Sequence, residues 1–130
     1  MMGRNMGELA YCTVGSNDLA AAKIFYDHLL EVVGLSPLFE HPSGGRVYGR
    51  EAAFSFAVLG PFAGLPATIG NGSMVAFRFY AHDEVDAFHQ RAVELGGSSE
   101  GGPAVRGPNR YFAYCRDLDG NKLCAYCVND

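Results

Sequence analysis

A chain of 130 residues, 48% hydrophobic and carrying nine Phe and seven Tyr, has enough apolar material for one packed core and one domain. Fourteen acids against ten bases give a net charge of −4, and no cluster of five Lys and Arg occurs. That balance argues against nucleic acid and against an anionic membrane surface as partners. The opening MMGRNMGEL has no apolar core of signal-peptide length, and no run approaches the roughly 18 apolar residues of a membrane span, so a cytoplasmic protein is expected. Its four cysteines then read as reduced thiols rather than a disulfide framework.

Along the chain, Leu9–Gly15 alternates as a strand, and Asn17–Val33 has helical spacing. Asn17 is the expected cap, with Asp18 in the positive first turn. Leu19, Ala22, Tyr26, Leu29 and Val33 form one apolar stripe, widened by Phe25 and Leu30, and Gly34 stops the helix. Extended runs follow at Leu35–Glu40, Arg46–Arg50 and Ala53–Leu59. Residues 60–72, GPFAGLPATIGNG, read as a linker. A second strand, Ser73–Tyr80, leads to a helix over Asp83–Leu95, where Val85, Phe88, Ala92 and Leu95 share a stripe before Gly96-Gly97. Three more extended runs, Ser98–Val105, Tyr111–Arg116 and Lys122–Val128, close the chain, the last two joined at a hairpin signal, Asp119-Gly120.

The two halves repeat. Tyr11 and Met74 are 63 positions apart (74 − 11), and so are Gly34 and Gly97 (97 − 34). Each half is a βαβββ module, about residues 8–59 and 73–128, within one α+β domain over residues 1–130. One face of each sheet is covered by its helix, and the two uncovered faces are expected to line a shared cleft in an incomplete barrel. The C-terminal RYFAYCRDLDGNKLCAYCV and the segment Gly15–Tyr26 resemble the vicinal oxygen chelate superfamily of glyoxalases, bleomycin resistance proteins and extradiol dioxygenases, and the match is weak through Gly34–Gly72. The resemblance implies that superfamily's fold over residues 8–128. It also implies a homodimer, because members often pair or swap modules.

Strand parity sorts the side chains. Leu9, Tyr11 and Thr13 point into the cleft, as do Met74, Ala76 and Arg78, and Lys122, Cys124 and Tyr126. In Ala53–Leu59, Ser55 and Ala57 face inward, with Phe54, Phe56 and Val58 against the helix. Metal-dependent members of the superfamily hold their ion with a His or Gln where this chain has Tyr11, a His where it has Met74, and a Glu where it has Cys124. A fourth ligand falls near Ser55. Phenol, thioether and thiol are a poor substitute for imidazole and carboxylate around a catalytic divalent ion, so no cofactor is expected and a divalent metal is disfavoured. The histidines do not supply a replacement. His82 and His89 are separated by about 10 Å of helix, and His28 and His41 read as ordinary surface or half-buried residues. Cys124 and Cys127 spell C-x-x-C but face opposite sides of a strand. Cys115 and Cys124 lie on the two arms of the hairpin, where both a disulfide and packed thiols remain open.

The expected function is metal-free binding of a small, partly aromatic molecule in a cleft lined by Tyr11, Met74, Tyr126 and Tyr111, with Ser55 and Cys124 alongside and Arg78 favouring an anion. Bleomycin-binding members of the superfamily work in this way, by sequestration. Two catalytic alternatives stay open. One is a glyoxalase-type lyase or dioxygenase with a rearranged ligand set. The other is an enzyme using Cys124 as nucleophile or Tyr11 as acid.

Overall fold

The computed structural model describes residues 6–128. Its elements run β1 (Cys12–Gly15), α1 (Leu19–Val33), β2 (Ser36–Glu40), β3 (Arg46–Arg50), β4 (Ala53–Leu59), β5 (Val75–Arg78), α2 (His82–Glu94), β6 (Ser98–Val105), β7 (Arg110–Arg116) and β8 (Lys122–Val128). The two βαβββ modules build two four-stranded sheets, ordered β1-β4-β3-β2 and β5-β8-β7-β6. In each, the first strand pairs parallel to the last, and the other pairings are antiparallel. No helix is long and apolar enough to cross a membrane.

The first helix differs from expectation at its cap. Asp18 takes that position, its carboxylate accepting from the Ala21 amide. Asn17 instead exchanges two hydrogen bonds with Ala67, pinning the linker to the start of α1. Gly34 closes the helix at φ 83°, a left-handed position that costs glycine least. The second helix starts at His82 without a side-chain cap, and Asp83 and Glu84 supply the favourable negative charge of its first turn.

The first strand is shorter than Leu9–Gly15 because its pairing with β4 begins only at Cys12 opposite Phe56. Immediately before Phe56, β4 bulges: Tyr48 of β3 faces Phe56 and Gly49 faces Phe54, which leaves Ser55 as the extra residue.

One core serves both modules. Phe25, Tyr26 and Leu29 of α1, Phe56 of β4, Phe77 of β5, Phe88 of α2 and Leu123 of β8 belong to a single buried cluster. Phe56 and Phe77 carry it across the module boundary, with ring centroids 6.0 Å apart. The helices pack together on this side, and Arg91 of α2 donates to the His28 carbonyl and pairs with Glu31 of α1. Edge strands β1 and β5 share the lining of two cavities, so the sheets meet edge to edge without closing into a barrel.

The Arg116–Asn121 turn ties these parts together. Asp117, 5% exposed, accepts hydrogen bonds from the Tyr26 hydroxyl, the Asp119 and Asn121 amides and the Asn121 side chain. Asn121 also donates to the Gly15 carbonyl of β1, and Asp119 accepts from the Asn17 amide. A buried carboxylate satisfied this fully is a structural hub. Its fixed neighbours account for the most recognisable motif of the chain without any reaction.

Candidate functional site

The sheet faces turned away from the helices carry six aromatic rings, three on each sheet. On the first sheet, Tyr11 lies 4.9 Å from Phe54 in an edge-to-face arrangement, and Phe54 lies 6.2 Å from Phe39. With Thr13, Val47, Ala57 and Leu59 they line an apolar hollow of about 220 Å³. Counting alternate residues places Phe54 on the helix side. The bulge at Ser55 shifts the count by one and turns Phe54 onto the open face, beside Ala57.

On the second sheet, Tyr126 of β8 stands opposite Phe112 of β7, their rings stacked at 5.3 Å, and Phe112 stacks on Tyr114 at 5.9 Å. Cations surround this platform. Arg106 and Lys122 both approach the Tyr114 ring, at 5.4 and 5.1 Å from its centroid, and Arg78 lies over Tyr80.

The residues expected to form one site are dispersed. Tyr11, Ser55 and Arg78 line a cavity of about 300 Å³ at the seam between β1 and β5. Ser55 is there as the bulge residue, its carbonyl 3.9 Å from the Cys12 thiol. Met74 lines a separate cavity of about 290 Å³ with Thr13, Ser73, Asn121 and Lys122, where the linker passes the start of β5. Tyr126 lies on the second sheet's platform. Tyr111 is a correction: it points to the helix side, donates to the Asp86 carboxylate of α2 and stacks flat on His82 at 3.8 Å. The alternation in β7 contained this outcome, because Tyr111 shares parity with the buried Ala113 and Cys115, whereas Phe112 and Tyr114 do not. Phe112 and Tyr114 were missed for the same reason, and Arg106, in the loop between β6 and β7, lies outside any alternation.

Cys124 faces the open side opposite Tyr114 but is fully covered, at 0% exposure. Burial pushes its thiol up to about 11, against the opposing pull of Lys122 and Arg106. At neutral pH it is a thiol and not a nucleophilic thiolate. Cys115 pairs with Leu123 on the helix side, so it and Cys124 project from opposite faces of the hairpin, and both are free. The cross-hairpin disulfide left open by the sequence is therefore ruled out by register.

A divalent ion does not fit the residues at the superfamily's ligand positions. Tyr11, Met74, Cys124 and Ser55 offer no imidazole or carboxylate, and one of them is a protonated thiol under cover. Among the described residues no group of three or more His, Cys, Asp or Glu is placed to hold a metal ion.

Comparison with known proteins agrees with this architecture. Residues 8–125 match the family model for the Glyoxalase/Bleomycin resistance protein/Dioxygenase superfamily. No curated protein matches significantly. Among solved structures, a glyoxalase/bleomycin resistance protein from Albidiferax ferrireducens T118 is 40% identical, with a TM-score of 0.82, covering 91% of this chain and 96% of that one. A glyoxalase-related enzyme from Fulvimarina pelagi is 22% identical (TM-score 0.76, covering 94% and 88%). TnmS3, an antibiotic binding protein from Streptomyces sp. CB03234, is also 22% identical (TM-score 0.67, covering 98% and 100%). At that identity the last two share the fold alone. With the family model spanning nearly the whole chain and one solved relative at 40% identity, this protein belongs to the glyoxalase/bleomycin resistance/dioxygenase superfamily.

Proposed function

We propose that this chain is a small-molecule-binding member of its superfamily, taking a planar organic ligand on its open face without the divalent ion of the metal-dependent members. The observation that carries this reading is the set of six rings on that face, Tyr11, Phe39, Phe54, Phe112, Tyr114 and Tyr126, at positions where a soluble sheet would ordinarily show polar side chains. Exposed or half-buried rings, those of the first sheet beside a shallow apolar hollow, suit stacking on a flat ligand. A fold relative named as an antibiotic binding protein supports the same direction. The donor chemistry at Tyr11, Met74 and Cys124 supports the metal-free part. The covered, protonated state of Cys124 weighs against a thiolate mechanism.

The test has two arms. After incubation with Ni, Fe, Mn or Zn and desalting, elemental analysis is expected to find no stoichiometric metal. Titration with planar aromatic compounds is expected to perturb the side-chain NMR signals of Phe112 and Tyr126 or of Tyr11 and Phe54. Stoichiometric metal would overturn the metal-free part. Perturbation confined to residues elsewhere would overturn the placement of the site.

A further inference from the structure

The two open faces differ in charge, and the difference identifies a ligand class. The hollow of the first sheet is lined by Tyr11, Phe39, Phe54 and aliphatic side chains, with His41 at its margin and no Lys or Arg. The second sheet carries Arg78, Arg106, Arg116 and Lys122 around its rings. Among the described residues Glu100 is the one carboxylate paired with any of them, 3.1 Å from Arg116 and 3.9 Å from Lys122. Arg78 and Arg106 have no carboxylate partner among the described residues. In a chain with net charge −4, this concentration of cations on one aromatic surface is opposite in sign to the molecule as a whole.

Position matters as much as charge. Tyr126 and Phe112 form one cross-strand row and Cys124 and Tyr114 the next, two residues and about 7 Å along the sheet. Arg106 and Lys122 sit over the second row, so a ring stacked on the first row would hold an acidic substituent toward them. The Arg106 guanidinium reaches that place by crossing Gly101: a Cβ there would stand 3.1 Å from its Nη2 atom. It is held by a hydrogen bond to the Gly102 carbonyl. A Cβ at residue 101 would make the guanidinium give way by a few tenths of an ångström.

Building on the proposed binding function, we propose that the second sheet is a subsite for a planar aromatic carboxylic acid. Its ring lies on Phe112 and Tyr126, and its carboxylate is received by Arg106 and Lys122 above Tyr114. Arginine's fork and the lysine ammonium both suit a carboxylate, and the rings beneath remove it from bulk water on one side.

The experiment compares 2-naphthoate with the neutral 2-naphthamide by calorimetric titration of the intact protein. Naphthoate is expected to bind about tenfold more tightly or better, the effect of charge-assisted hydrogen bonding. Arg106→Gln combined with Lys122→Gln, confirmed as folded by circular dichroism, should abolish that preference and bring naphthoate to the affinity of naphthamide. Equal affinity for the two probes in the parent, or a preference that survives the double substitution, would overturn the carboxylate subsite while the binding function stands. Failure of both probes to bind would overturn both.

Discussion

Asp117 and Cys124, seven residues apart, show how differently two neighbours in one motif are used. Asp117 is buried and bonded by Tyr26, Asp119 and Asn121, so it stabilises a turn that joins both modules. Cys124 sits where metal-dependent relatives place a carboxylate, yet it is covered and kept protonated. Its titration has a stability consequence. The folded value, about 11, lies above the ordinary 9.0, and burial holds Cys115 higher still, at about 12. A group raised in this way leaves stability unaffected below 9.0, because the thiol is protonated in both states. As pH rises from 9.0 toward 11, the unfolded chain loses the proton first and stability falls. The melting temperature should therefore hold level up to about pH 9 and decline above it, with a shallower decline in Cys124→Ser. A melting temperature flat across that window would contradict the buried protonated thiols.

Among the elements, the β3–β4 hairpin decides most about the open face. Gly49 approaches β4 so closely that a Cβ there would stand 2.1 Å from the Ala53 carbonyl oxygen. Its lack of a side chain permits the register shift that leaves Ser55 unpaired and rotates Phe54 beside Tyr11. Gly49→Ala is expected to destabilise the protein by roughly 1–3 kcal/mol, the usual cost of overpacking, measured by urea unfolding. It should also remove the Tyr11–Phe54 contact, visible as shifted ring resonances; a variant with parent stability and unshifted rings would refute the role given to Gly49. Strand alternation misplaced Phe54 because a period of two counts residues, and a bulge adds one that no composition signal announces. Helix positions were more legible. Ala22, Phe25, Tyr26, Leu29 and Leu30 are buried where the 3.6-residue stripe put them, since a straight helix keeps its phase. Val33, at the end of that stripe, is only half-buried.

At the scale of the molecule, the modules are repeated in sequence but share one core. Phe56 and Phe77 meet across the boundary, α1 and α2 are joined by Arg91, and the 116–121 turn bonds to both halves. Thermal unfolding should therefore be one cooperative transition with equal calorimetric and van't Hoff enthalpies. Two resolved transitions would mean that the modules are independent.

The repeat, the two helix stripes, the glycine stops and the final hairpin were all determined by sequence, because each depends on local spacing and backbone preference. The residue types of Tyr11, Met74 and Cys124, none of them an imidazole or a carboxylate, were also read from sequence. The tertiary structure alone decided that Phe54 joins Tyr11, that Tyr111 finds Asp86 and His82 of α2 as partners, that Cys115 and Cys124 are on opposite sides, and that Arg106 crosses Gly101 to reach Tyr114. Those facts depend on register and on the approach of segments distant in the chain, and a bulge or a missing Cβ changes them without leaving a period to read.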